Sequence, residues 1–222
     1  YGDYELVEEL VSAGASVSAM NEDDINALMM AVRNGDPVVL DAIMDAGAPL
    51  DARDAQGHTA IALAALADDA HMLNMLLVAK ASSAIPNDAG QSPLTLAISK
   101  SCGDATQLLL RARDECGNTA LASAAQRGDM HHVQLLLVAR GDANAKNFEG
   151  KNPFMLAVEN NHVDIAKVLL NAGAIRDEPD DDGITFLMAA AANGREDIVE
   201  RLIRLDATVD AKSNHGQTAL HL

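Results

Sequence analysis

Tryptophan is absent from this chain of 222 residues, which holds only two tyrosines and three phenylalanines. So few rings cannot build a platform for stacking bases, and the core must be aliphatic. Cysteine is nearly as scarce. Cys102 and Cys116 cannot form a disulfide framework, and no further Cys or His stands near them at zinc-site spacing. The thiols point to a reducing, intracellular setting, read as cytoplasmic without excluding the nucleus. No apolar run approaches the ~20 residues that cross a bilayer, and the first residues lack the charged and apolar regions of a secretion signal. Positive charge is in deficit: 16 Lys and Arg against 33 Asp and Glu leave a net charge of −17. That sign repels phosphate backbones and anionic lipid, so neither nucleic acid nor direct membrane insertion is expected. The motifs of familiar enzymes are missing as well: there is no GxGxxG, no phosphate loop ending in GK[ST], no GxSxG and no HExxH. No catalytic residue, metal site or cofactor is therefore assigned, and the chain is not read as an enzyme.

Two stretches tempt a metal assignment and fail on geometry. In the acidic run "DEPDDDG" (177–183), setting Gly183 on the glycine of an EF-hand loop places Ala189 where the bidentate glutamate should be. His131 and His132 are adjacent on an expected helix and point about 100° apart, too far to share one ion from one face.

What the chain does have is 49% apolar residues, rich in Ala and Leu, which favours tightly packed helices. It also has a period. "DAQGHTAIALAA" (54–65), "DECGNTALASAA" (114–125), "DDDGITFLMAAA" (180–191) and "SNHGQTALHL" (213–222) share one template, a polar pair, Gly, any residue, Thr, small, apolar. It recurs as "DAGQSPLTLA" (88–97), "FEGKNPFMLA" (148–157) and, weaker, "DDINALMMA" (23–31). From Asp24 through Gly57, Gly90, Gly117, Gly150, Gly183 and Gly216 the steps are 33, 33, 27, 33, 33 and 33.

Each period reads as two short helices. Ser92 before Pro93 and Asn152 before Pro153 set a capping side chain ahead of a proline at the first helical position, where the missing N–H costs nothing. "NGDPVV" (34–39), "RGDMHH" (127–132) and "NGREDIV" (193–199) break that helix with Gly, and the first two offer Asp to cap a second helix. The second helix carries paired apolar residues, Leu136 with Leu137, Leu169 with Leu170, Leu202 with Ile203, and ends at Ala46-Gly47 or Ala172-Gly173. A polar, extended stretch leads to the next Gly.

This pattern closely resembles the ankyrin repeat, with its period of 33 and its TPLHxA signature. The resemblance implies an all-α solenoid of stacked antiparallel helix pairs with projecting β-turn fingers. The expected array is a partial repeat at 1–20, full repeats at 21–53, 54–86, 87–113, 114–146, 147–179 and 180–212, and a partial repeat at 213–222. The signature His survives only as His221, with Met29, Ala62, Thr95, Ala122, Met155 and Met188 in the other places. In the family that His helps tie neighbouring turns together, so the resemblance does not carry those ties over to the other repeats. The repeat at 87–113 is six residues short, all of them between Ala112 and Arg113, where a finger projects. Either the finger is truncated, with three residues bridging only ~10 Å, or a mobile segment is missing from this sequence. The second is preferred, because loop tips are where order is commonly lost. The chain opens in the second half of a repeat and stops inside a first helix, so the array is expected to be a piece of a longer protein.

By resemblance, a partner sits on the concave face made by fingers and first helices. Carrying that face over position by position gives Arg53, His58, Lys100, Arg113, Arg127, Lys146, Phe148, Lys151, Ile184 and Met188 as the candidate partner-binding residues. The full set of face positions holds 8 basic and 8 acidic residues, Asp181 among the latter, so the rest of the chain carries the whole −17. Lys100, Arg113, Arg127, Lys146 and Lys151 are expected to gather beside Phe148 and to suit an acidic peptide with an apolar anchor. The function expected is a protein-binding scaffold. The alternative is a targeting or regulatory part of a larger enzyme, channel or ubiquitin-ligase adaptor. Asn144 also resembles the finger asparagine modified by hydroxylases in some ankyrin repeats, but a structural asparagine is the plainer reading.

Overall fold

A computed structural model describes residues 2–180 and 182–222. Among them are thirteen helices and no strands, in two compact units that meet in sequence at Asp114 and Glu115. The first unit holds α1 (Gly2–Ser12) and the pairs α2 (Ala27–Asn34) with α3 (Pro37–Asp45), α4 (Ala60–Leu66) with α5 (Ala70–Val78), and α6 (Pro93–Ser99) with α7 (Gly103–Arg111). The second holds α8 (Ala120–Arg127) with α9 (Met130–Val138), α10 (Pro153–Glu159) with α11 (Val163–Asn171), and α12 (Phe186–Ala192) with α13 (Glu196–Arg204).

The helix starts follow the expected chemistry. Ser92 Oγ accepts from Thr95 N at 3.2 Å and Asn152 Oδ1 from Met155 N at 2.9 Å, each just ahead of its proline. Thr119 and Thr185 cap α8 and α12 in the same way. First helices are only seven or eight residues long because the chain then turns left-handed, at Gly35 and Gly128 and, where no glycine is supplied, at Asp68, Ser101 and Asn161. A short polar side chain tolerates that conformation better than most. Asp36, Asp69 and Asp129 then cap the second helices α3, α5 and α9, whereas Cys102, His162 and Arg195 stand at the same place without a side-chain cap.

Each unit is held by an apolar interior. Leu28, Leu40, Ile61, Leu73 and Leu76 are fully buried in the first unit and Phe154 and Leu169 in the second. Stacking explains the apolar pairs on second helices: Leu136, Leu169 and Leu202 are buried, while Leu137 and Leu170 are only half-buried and Ile203 is exposed. Fingers are turns closed by the polar residue three before each glycine. Asp54 Oδ1 accepts from the backbone N–H of Gln56 and His58, Asn87 from Ala89 and Gln91, Asn147 from Glu149 and Lys151, Asp180 from Asp182 and Ile184. Neighbouring fingers are then joined by one backbone bond each: Ala55 to Asp23, Asp88 to Gln56, Phe148 to Cys116 and Asn214 to Asp182, the donor always 32 residues on.

The chain leaves α7 differently from the other second helices. After α5, α9, α11 and α13 the chain takes a left-handed residue at Lys80, Arg140, Gly173 or Asp206. After α7, Ala112 goes straight to an extended conformation (φ −58°, ψ 144°) and Arg113 leads into the turn at 115–117.

The Asp129 cap yields a direct test. Its carboxyl is pushed up by burial, but the backbone N–H and the ring of His132 outweigh this and hold it below the ordinary value of 3.8. A carboxylate with a depressed folded pKa stabilises above its unfolded pKa and loses that contribution as pH falls through the folded value. Asp129→Ala should therefore cost about 1 kcal/mol at neutral pH, and the difference from wild type should vanish only below about pH 4. Urea melts of both proteins at pH 7, 4 and 2.5 check it. A cost that persists at the lowest pH would place the effect elsewhere.

Candidate binding groove

In the first unit, Arg53 and His58 are occupied with joining fingers. Arg53 Nη2 reaches Asp88 Oδ1 at 2.7 Å and donates to the Pro86 carbonyl at 3.2 Å, while its Nε donates to the Gly57 carbonyl. His58 lies over the buried Asp54, Nδ1 to Oδ1 at 3.5 Å, and its Nε2 is 3.2 Å from the Asn87 amide nitrogen. Asn147 makes the matching tie to Asn118 at 3.0 Å in the second unit. These two bonds show how the fingers are tied at repeats that lack the signature histidine. At the C-terminal end, where it survives, His221 Nδ1 is 2.7 Å from Thr218 Oγ1. Asn144 is structural too: its amide donates to the Gly173 carbonyl at 3.0 Å and its oxygen accepts from Ile175 N at 2.7 Å.

The second unit has a groove of about 580 Å3 on its finger side, between the helix pairs α10–α11 and α12–α13. Fingers supply Lys146, Glu149 and Glu178, and first helices supply Met155, Glu159 and Ala189, with Ile184 at the rim and Ile198 below. The expected cations are present but already engaged. Lys146 Nζ is 3.1 Å from Glu178, and Lys151 Nζ sits between Glu149 at 2.9 Å and Glu159 at 3.0 Å. Burial pulls the Lys151 ammonium down, and its hydrogen bonds to both carboxylates more than offset this, leaving its pKa above the ordinary 10.5. A second groove of about 420 Å3 adjoins it and adds Cys116, Asn118 and Gln126.

Of the sequence-derived set, this site unites Lys146, Lys151 and Ile184. Phe148 is 76% exposed but lies against Gly117, where an added Cβ would strike its ring, and it does not line the groove. Arg127 is exposed on the same unit, and Lys100 and Arg113 are exposed on the other. Asp181 falls outside the described residues. Met188 is corrected by the structure: it is 1% exposed, because the position one turn after the Thr185 cap faces the interior, and it cannot reach a partner. Arg195, which lines both grooves, was missed. The available signal was its place in the period, where Asp36, Asp69 and Asp129 serve as caps and an arginine cannot.

Among the described residues no cluster of His, Cys, Asp and Glu could hold a metal, and no helix is long and apolar enough to cross a membrane. Family models described as ankyrin repeats match residues 1–84, 28–115 and 94–178, and a further one matches 154–203. The chain belongs to the ankyrin-repeat family. Similar proteins include the transient receptor potential cation channel subfamily A member 1 homolog of Caenorhabditis elegans, 35% identical over 51% of this chain and 9% of its own length. Human ankyrin repeat domain-containing protein 63 is 36% identical over 40% of the chain and 25% of its own length, and human ankyrin repeat and SOCS box protein 16 is 31% identical over 61% and 31%. The chain thus spans a third or less of these relatives.

Proposed function

We propose that this array is a protein-binding scaffold whose second unit holds a segment of a partner protein in the finger-side groove. The observation that carries the reading is the groove itself: apolar lining at Met155, Ile198 and the partly exposed Ile184, beside charges fixed in advance, Lys151 between Glu149 and Glu159 and Lys146 on Glu178. Fixed charges need not be ordered when a partner arrives, which lowers the entropic cost of binding. An acidic partner side chain would displace Glu149 or Glu159 from Lys151 rather than meet an unpaired cation. Attraction by charge is then modest, and the apolar contact at Ile184 supplies the anchor. The alternative, a targeting or regulatory part of a larger enzyme, channel or ubiquitin-ligase adaptor, draws support from the channel and SOCS-box relatives, of which the matched stretch is only 9% and 31%. The two readings share this groove and differ in what lies outside the chain.

The test is a pull-down from native lysate with wild type and with Ile184→Asp, each confirmed folded by circular dichroism, followed by affinities for the proteins captured. Loss of about tenfold or more in affinity is expected. Unchanged affinity for every captured partner would remove the groove from consideration.

A further inference from the structure

The second-helix side of the first unit carries its own groove, about 630 Å3, between α3 and α5. Its lining is mainly apolar, with Met44, Leu50, Met75 and the 74% exposed Val78. Asp41 and Asp45 stand along the α3 wall. The period shows that packing does not require carboxylates there. Later repeats place Asn74, Gln107, Gln134, Lys167 and Glu200 at the position of Asp41, and Val78, Arg111, Val138, Asn171 and Arg204 at that of Asp45. One period earlier stands Glu8, on α1, which packs against α3 and extends the acidic surface. Residues 1–79 hold 14 Asp and Glu against two cations, Arg33 and Arg53. Those two are engaged on the finger side by Asp54 and Asp88, and the next cation, Lys80, lies in the turn beyond α5.

We propose that this groove docks a basic amphipathic segment of a partner protein, its aliphatic side chains on Met44, Met75 and Val78 and its Lys or Arg heads over Asp41 and Asp45. An apolar lining beside a rim of one charge sign selects an occupant with both features. A second copy of this chain brings a net charge of −17 to an acidic rim, and nucleic acid and anionic membrane carry the same repelled sign. The surface is distinct from the finger-side groove and stands or falls apart from it.

The probe is a fluorescein-labelled peptide of about 14 residues, roughly four helical turns, with Leu at helical spacing and Lys elsewhere. A second peptide replaces each Leu with Ser and keeps the charge. Fluorescence anisotropy is expected to show saturable binding of the Lys/Leu peptide at least about tenfold tighter than the Lys/Ser peptide. Val78→Asp, and separately Asp41→Lys, should each weaken it about tenfold, while Val138→Asp, at a still more exposed valine at the same place in the period, should leave it unchanged. All three positions are exposed, and circular dichroism confirms each fold. Any one of three results overturns the proposal: equal binding of the two peptides, equal loss with Val138→Asp, or sedimentation showing self-association that Val78→Asp abolishes.

Discussion

Replacing Phe154 with alanine is expected to destabilise the second unit by about 3–5 kcal/mol, the largest effect of any single truncation here. The ring is completely buried, and every residue of α10 from Pro153 to Val158 is buried with it. In an array whose buried apolar residues include no other aromatic ring among the described residues, no second ring fills the space, so the cavity stays open and the lost dispersion is not recovered. At about 2–4 °C per kcal/mol, the melting temperature should fall by roughly 6–20 °C. Thermal melts of Phe154→Ala beside Phe148→Ala decide it. Phe148, mostly exposed over Gly117, should cost well under half as much, and equal losses would mean that the two rings are packed alike.

Gly57→Ala is the second. Gly57 has φ +78°, where an L residue costs about 1–2 kcal/mol. A Cβ there would also fall on the Arg53 guanidinium, on the Asp88 carboxylate and at 2.7 Å from the Asp88 backbone nitrogen. The guanidinium can swing aside. The nitrogen cannot, because it donates to the Gln56 carbonyl and joins the two fingers. Overpacking against backbone adds about 1–3 kcal/mol, for a total of roughly 2–5. Gly35→Ala is the control: φ is +66° with nothing within 4 Å of the added carbon, so only the conformational cost applies. Chemical denaturation that finds the two variants equally stable would show that the finger contact at Gly57 carries no weight.

The architecture was readable because it is repetitive and local. A glycine every 33 residues, a capping side chain before Pro93 and Pro153 and an aspartate at 36 and 129 each act within a few residues of themselves. The site was less readable because its geometry depends on residues far apart in sequence. Lys146 meets Glu178 from the next finger, and Lys151 meets Glu159 from the far end of a helix, so the charge count treated as attractive several cations that are already neutralised. Met188 failed for a different reason: on a helix of seven residues a shift of one position moves a side chain from rim to interior, and the period alone does not say which. Arg195 lies past the break between two helices, where a template built on first helices stops looking.

The joining bonds between fingers have a further meaning for how such a chain changes over generations. Each runs from a donor to an acceptor 32 residues earlier, one short of the period, and the separation is the same every time. Copying or excising one whole period leaves every donor with an acceptor, whereas a gain or loss of other size inside a helix pair shifts the later donors out of step. The six-residue shortfall after Ala112 falls in the narrow window between helix end and finger turn, where length can vary while both helices and the turn keep their own bonds. Duplication in units of 33 and length changes confined to that window are the two edits this architecture can absorb, and the recurring period bears the mark of the first.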